Sequence, residues 1–203
     1  EVAAASRTDP LAGAVVLHKD GEAGRMYYAV RMQTVSRSLD VPALDRGFSV
    51  SREYKAADEA ADGADAVVVT SDGRVFVKAG VVVDVKVTVV APSTRHHFAV
   101  VDHLPGGFEV KQVHTRGRGG FVINPWFGHY GGYGSFDYVS ERSDRVEAFA
   151  GTLMAGTYEL KYSCLASTCG AYAAPPAYAE EMYEPETFGR SSSNAVHVIE
   201  AST

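Results

Sequence analysis

Short runs of valine, tyrosine, phenylalanine and threonine, bounded by glycine, aspartate, serine and proline, recur along most of this chain. In residues 81–90, valine alternates with Asp84, Lys86 and Thr88, which predicts a strand with one buried face and one solvated face. Helical periodicity is nearly absent, and the alanine-rich segment 54–66 lacks an apolar stripe, so we expect a loop there. The pattern predicts an all-β fold, an antiparallel β-sandwich of about seven to eight strands.

Turn signals divide this pattern into two parts. Residues 14–17 and 26–35 predict two strands around a glycine-containing turn, and Ser71-Asp72-Gly73 predicts a later hairpin. Between these regions the segment LDVPALDRG breaks the alternation, as a linker would. We therefore predict a domain boundary near Asp45, with residues 1–45 forming a short leading segment and residues 46–203 the main domain.

Composition narrows the functional classes. The chain has 203 residues, of which 46% are apolar and 22% charged. This length and apolar content are sufficient for one hydrophobic core. The net charge of -6, with scattered lysines and arginines, provides no basic patch for nucleic acid. No apolar run approaches the ~20 residues of a membrane-spanning helix, so we predict no direct membrane insertion. The first ten residues lack the features of a signal peptide, and we expect the chain to be part of something longer.

The two cysteines, Cys164 and Cys169, lie five positions apart beside a predicted turn. If they flank a tight hairpin, their Cα atoms approach within the ~7 Å that a disulfide allows. Two buried thiols inside a sandwich are the alternative. A metal pair is the weakest interpretation, because CxxxxC is not the usual zinc spacing.

Catalytic and metal-binding signals are sparse. The histidine-rich region contains no HxH or HExxH motif, so surface or half-buried histidines are expected at His96, His97, His103, His114 and His129. There is no GxSxG motif and no phosphate-binding glycine loop. We predict that the chain is not an enzyme and that it binds no metal or other cofactor.

The segment RGRGGFVINPWFGHYGGYGSFDY, residues 116–138, is too long and too rich in glycine to be a simple connection. Its aromatic residues Trp126, Tyr130 and Tyr133 either plug one end of the sandwich or form a platform that stacks on a sugar. The second possibility defines an alternative function, an extracellular adhesive or carbohydrate-binding module.

The stretch Ala174–Ser193, APPAYAEEMYEPETFGRSSS, lies between two strand-like runs. We expect it to be a long loop presented by a rigid β scaffold, a common location for binding residues. Exposed aromatic residues on such loops are enriched at interfaces, and Met182-Tyr183 is the apolar pair in this stretch. The glutamates that surround the pair are expected to form a solvated acidic rim; they are Glu180, Glu181, Glu184 and Glu186.

Several blocks of sequence, in this order, resemble the C-terminal macroglobulin domain (MG10-like) of bacterial-type α-2-macroglobulins. They are DRGFSVSREYK, VKVTVVAPSTRHHFAVVDHLPGGFEV and YSCLASTCGAYAAPPAYAEEMYEPETFGRS. The opening GRMYYAVRMQ is similar to a strand of the CUB-like domain that precedes it. The resemblance implies a macroglobulin, immunoglobulin-like sandwich at 46–203, after the end of a CUB-like segment at 1–45.

The resemblance also implies a function. Members of this family are large protease traps in which an internal thioester captures a protease after a bait region is cleaved. Their Gly-Cys-Gly-Glu-Gln type motif is absent here, because Cys169-Gly170 is followed by Ala171-Tyr172. The chain is therefore expected to be a non-catalytic domain of an extracellular, cell-surface or periplasmic protease inhibitor.

The resemblance implies that this domain packs against the thioester domain and shields it until the bait is cut. Met182 and Tyr183 match the apolar pair that covers the thioester in bacterial relatives, and Glu181 and Phe188 belong to the same thioester-facing segment. The expected partners are the neighbouring domains of the same polypeptide and, indirectly, target proteases.

Overall fold

A computed structural model of the chain describes Arg25 and residues 27–29, 38–57, 66–113 and 136–200. The chain divides into two compact units, Glu1–Ser36 and Arg37–Thr203. All the strands of the fold lie in the second unit among the described residues. The expected boundary near Asp45 and the CUB-like character of residues 1–45 stay predictions. In the portions described, no helix is both long enough and apolar enough to span a membrane.

The described part of the second unit is built from fourteen strands, which confirms the all-β prediction. In chain order they are β1 Leu44–Arg46, β2 Ser49–Ala56, β3 Val67–Val69, β4 Val75–Lys78, β5 Val82–Ala91, β6 Arg95–His103, β7 Phe108–Val113, β8 Tyr138–Glu141, β9 Arg145–Leu153, β10 Gly156–Ala166, β11 Gly170–Ala174, β12 Tyr178–Glu181, β13 Glu184–Arg190 and β14 Asn194–Ile199. The number exceeds the expected seven to eight, in part because β12 and β13 form where a loop was expected and because β1 and β8 are too short for alternation to reveal them.

These strands form three sheets. The six-stranded sheet has the order β1-β13-β12-β6-β9-β8, and all its neighbours are antiparallel. The second sheet, β2-β5-β10-β7, is also antiparallel throughout. In the mixed sheet, β11-β14-β4-β3, only the β14–β4 pair is parallel. The predicted antiparallel architecture is thus confirmed, with one parallel pair added.

Strand β5 shows how the hydrophobic pattern builds the core. Val83, Val85, Val87 and Val89 are at most 1% exposed, whereas the residues between them, such as Lys86, are only half-buried. Full burial of one valine side chain is worth about 1.5–3 kcal/mol relative to exposure, so this row contributes much of the driving force. The alternation predicted for residues 81–90 is confirmed.

The six-stranded sheet packs closely on Phe48, the residue immediately before β2. A Cβ atom on Gly189 of β13 would lie 2.0 Å from the carbonyl oxygen of Phe48, so only glycine allows this approach. The Phe48 ring is fully buried and packs edge-on against Phe98 of β6, with the ring centroids 5.2 Å apart. These contacts pack β6 and β13 against Phe48.

A buried polar cluster joins all three sheets; we call it the interior cluster. Its centre is an ion pair between Arg52 of β2 and Asp102 of β6, with 2.6 Å between Nη1 and Oδ1 and side chains 1% and 0% exposed. The hydroxyl of Tyr162 in β10 donates to the other Asp102 oxygen at 2.6 Å. Arg52 donates further bonds to the side-chain oxygen of Asn194 and to the carbonyl oxygens of Ala174 and Pro175.

The environment of this cluster keeps its other titratable groups neutral. Burial, and then the nearby Asp102 carboxylate, raise the pKa of Tyr162 well above its ordinary value of 10.0. Burial also raises the pKa of the Tyr54 hydroxyl and of the Cys164 thiol. The core around the ion pair therefore resists further ionisation, because a charge there would have little solvent to stabilise it.

Candidate functional site

The candidate site is the turn between β12 and β13, which consists of Met182 and Tyr183; we call it the hairpin tip. The methionine is 44% exposed and the tyrosine 77% exposed. The prediction of a long loop at Ala174–Ser193 is wrong, since most of that stretch forms β12 and β13. Strand β12 pairs with β13, which follows it in the hairpin, on one side and with β6, which is distant in sequence, on the other.

Strand β6 supports the hairpin tip from beside it. The backbone N–H of Met182 donates to the carbonyl oxygen of His97 at 3.0 Å. His97 has a φ of 51°, in the left-handed region that non-glycine residues seldom adopt. The Tyr183 ring meets the His97 ring edge-on, with the centroids 4.9 Å apart and the planes at 87°. The tip is therefore exposed to solvent yet held in a defined orientation.

Glu181, immediately before the tip, points into the protein. The residue as a whole is 7% exposed, and its Oε1 accepts a hydrogen bond from the backbone N–H of His96 at 2.7 Å. Its Oε2 lies 3.3 Å from Nη1 of Arg95. The prediction that Glu181 belongs to a solvated acidic rim is thus wrong, whereas Glu184 and Glu186 are exposed as predicted.

Alternation along β12 explains this burial. Ala177 and Ala179 are fully buried, and Glu181 continues the same inward-facing row. The sequence signal was therefore available in the pattern Ala-x-Ala-x-Glu, where an acid at the end of a buried row requires a partner. That partner, Arg95, is 86 residues away and was not predicted.

Arg95 is itself fixed in place. Its Nη2 donates to the carbonyl oxygen of Gly47 at 3.3 Å, and its guanidinium lies over the Phe48 ring, 5.4 Å from the centroid. Gly47 has a φ of 117°, and a Cβ atom there would lie 2.8 Å from Cγ2 of Thr187 and 3.2 Å from Nη2 of Arg95. The glycine thus leaves room for the arginine beside β13.

Phe188, the fourth residue expected to face the thioester domain, is half-buried within the six-stranded sheet. Its ring stacks on Tyr178 with the centroids 5.6 Å apart, and Arg46 lies 5.8 Å above it. It pairs with Glu180 of β12 rather than standing in the turn. Of the four expected residues, the structure places only Met182 and Tyr183 at the tip.

The cysteines do not form the disulfide considered from the sequence; both are free thiols. Cys164 in β10 is fully buried among core residues, and Cys169 is exposed in the turn before β11. Because β10 continues to Ala166, it carries Cys164 inward, while Cys169 lies beyond the end of that strand. The alternative of two buried thiols holds for Cys164 alone.

The other candidate chemistry receives no support from the described residues. His96, His97 and His103 are exposed, and no group of three or more potential metal ligands occurs in the described ranges. Trp126, Tyr130 and Tyr133, proposed as a sugar platform, lie outside the described residues, as do His114 and His129.

Comparison with known proteins identifies the family. The model of the bacterial alpha-2-macroglobulin MG10 domain matches residues 47–186, which is 140 of the 203 residues and includes the hairpin tip. The chain belongs to this domain family. The resemblance inferred from the sequence is confirmed.

Solved α-2-macroglobulins share the fold of this MG10 domain. Salmonella alpha-2-macroglobulin reacted with methylamine is 23% identical, with a TM-score of 0.56 over 77% of this chain and 10% of that one. Native alpha-2-macroglobulin from Escherichia coli, from domain MG7 to the C-terminus, is 21% identical, with a TM-score of 0.55 over 76% of this chain and 24% of that one. The predicted macroglobulin-type sandwich is thereby confirmed.

A curated relative is much longer than this chain. The circularly permutated Ras protein 2 of Dictyostelium discoideum is 29% identical over 178 residues, which is 87% of this chain and 4% of that protein. This MG10 domain thus spans a small part of the proteins that it matches.

Proposed function

We propose that this MG10 domain is a non-catalytic part of an α-2-macroglobulin-like protease inhibitor, in which it packs against the thioester domain and shields the thioester until the bait is cleaved. Family membership supports the multidomain context. The partners are then the neighbouring domains of the same polypeptide and, indirectly, the target proteases. We propose accordingly that the parent acts outside the cytoplasm, in an extracellular, cell-surface or periplasmic setting.

The observation that carries this proposal is the exposure of an apolar pair on a well-held support. Tyr183 is 77% exposed, so most of its ring is available to another surface while His97 contacts it within the domain. A tyrosine combines a large apolar face with a polar edge, and a methionine adapts to an irregular neighbour. Together they suit a cover that excludes water from a reactive bond.

The energetics suit a releasable cover. Full burial of one methionine or aromatic side chain is worth about 1.5–3 kcal/mol, so a two-residue tip contributes a few kcal/mol to the closed state. A rearrangement on bait cleavage can overcome a gap of that size, as in other bistable interfaces. The chain itself supplies no thioester, because Cys169-Gly170 lacks the glutamine partner.

The test is Tyr183→Ala in the full-length parent. Loss of about 1.4 kcal/mol of clamping would raise the open population, and with it the rates of thioester hydrolysis and methylamine incorporation, about tenfold. Tyr138→Ala is the matched control, because Tyr138 is 62% exposed on β8, at the far edge of the same sheet. Equal rates in both variants would contradict the proposal, as would a parent without a thioester motif.

A further inference from the structure

Beneath the hairpin tip, Arg95 donates hydrogen bonds to both the Gly47 carbonyl oxygen and the Glu181 carboxylate. We propose that Arg95 and Glu181 are positioning residues that hold Met182 and Tyr183 in the orientation that fits the neighbouring domain. The inference rests on the proposed function for what the tip covers. It adds two residues that touch neither the thioester nor the neighbour and act through the tip.

The first argument is the placement of Glu181. It is the last residue of β12, so its carboxylate fixes the chain immediately before the tip. That carboxylate accepts from the N–H of His96, and the N–H of Met182 donates to the carbonyl oxygen of the next residue, His97. Two consecutive residues of the hairpin are therefore bonded to two consecutive residues of β6.

The second argument is that the hairpin ladder alone does not hold the tip. Register passes directly from the Glu180–Phe188 pair to the Glu181–Glu184 pair, so residues 185–187 of β13 have no partner in β12. A strand with such a bulge bends, and its ladder is interrupted locally. The bonds to β6 make up for this interruption where the turn begins.

The third argument is the fixed geometry of Arg95. Its side chain is 19% exposed and that of Glu181 is 9% exposed, so solvent screens the pair only in part. The Gly47 carbonyl oxygen accepts from Nη2 and the Phe48 ring lies beneath the guanidinium, whereas its buried Nε has no hydrogen-bond partner among the described residues. A planar guanidinium can contact the carbonyl and the carboxylate at the same time, which a lysine ammonium on a flexible stem does less well.

The first test uses the 203-residue chain with Glu181→Gln, which removes the charge and retains the size. The readout is the NOE between the rings of His97 and Tyr183, identified by its absence in Tyr183→Leu. We expect Glu181→Gln to lose this NOE while keeping the urea midpoint close to that of the wild type. Glu184→Gln is the matched control, because it makes the same change at an exposed position of the hairpin, and it should retain the NOE.

The second test places the same substitutions in the full-length parent. If the tip adopts the fitting orientation in only a third of the molecules, the apparent equilibrium constant for closure onto the thioester domain falls about threefold. Glu181→Gln should therefore raise the rate of thioester hydrolysis about threefold, and Glu184→Gln should leave it unchanged. In a Tyr183→Ala background, Glu181→Gln should add nothing, because there is no longer a ring to position.

The outcomes separate the two proposals. If Tyr183→Ala accelerates hydrolysis while Glu181→Gln retains both the NOE and the wild-type rate, the positioning role is overturned and the proposed function stands. If Tyr183→Ala has no effect in the parent, the proposed function fails, and the NOE alone decides whether the pair orients the tip. Should Glu181→Gln unfold the chain, Arg95→Lys takes its place; unfolding of both variants would make the pair structural and overturn the proposal.

Discussion

The interior cluster and the pair beneath the hairpin tip have the same chemistry in different surroundings. Each joins an arginine to a carboxylate from a strand distant in sequence. The Arg52–Asp102 atoms are 2.6 Å apart and the side chains at most 1% exposed, whereas the Arg95–Glu181 atoms are 3.3 Å apart with 19% and 9% exposure. The two pairs therefore differ in how deeply they are buried and in how many other groups bond to them.

The difference indicates what each pair can do. Arg52 and Asp102 connect strands of three sheets, so removing one partner leaves a charge inside the core. Arg95 and Glu181 lie at one edge of the core, and partial exposure lets water replace a lost bond at moderate cost. We therefore expect removal of one partner of the first pair to act on the stability of the whole domain, and a change in the second pair to act on the orientation of the hairpin tip.

The largest effect should come from Asp102→Ala. It leaves the Arg52 guanidinium buried without its carboxylate and the Tyr162 hydroxyl without its acceptor, which should lower the free energy of unfolding by about 3–5 kcal/mol. Urea denaturation of the 203-residue chain measures this loss. Asp72→Ala is the control, because Asp72 forms an exposed pair with Arg74 and should cost at most about 1 kcal/mol. Similar losses in both variants would remove the contrast between interior and surface.

An intermediate effect is expected from alkaline pH, which also acts on the interior. Tyr54, Tyr162 and Cys164 have raised pKa values in the folded state, so their contribution to stability is complete below their unfolded pKa values. As the pH rises above about 9, the unfolded chain loses these protons first, and stability falls by about 1.4 kcal/mol per pH unit for each group so affected.

Urea midpoints between pH 7.5 and 10.5 test this expectation. Tyr162→Phe should give a shallower decline at the alkaline end, because one of the three groups is removed. A midpoint that stays constant up to pH 10.5 would show that these three groups do not resist ionisation in the folded state. An unchanged slope in Tyr162→Phe would show the same for Tyr162.

The smallest effect on stability should come from Tyr183→Ala. Its ring is mostly exposed and contacts His97 at the surface, so the free energy of unfolding should change by at most about 0.5 kcal/mol. Thermal or urea unfolding of the 203-residue chain provides the measurement. A loss of 2 kcal/mol or more would mean that the tyrosine is part of the core support, and its role as a free contact surface would have to be abandoned.

Part of this picture followed from the hydrophobic pattern. The strand at residues 81–90 was predicted correctly because alternation is a local property, and the hairpin around Ser71-Asp72-Gly73 was confirmed as the turn between β3 and β4. The stretch Ala174–Ser193 was taken for a loop because of its prolines and acids. Its strands are stabilised by pairing with β6 and β1, and nothing near them in sequence announces those partners.

The sequence by itself determined the all-β class, the family and the apolar pair Met182-Tyr183, since each is written in neighbouring residues. Only the tertiary structure decided that Glu181 turns inward, that Arg95 receives it, and that Cys164 and Cys169 stay apart. Alternation indicates which side chains share a face of one strand. Which strands become neighbours depends on closing loops of tens of residues, so partners such as Arg52 and Asp102 become apparent only once the sheets have packed.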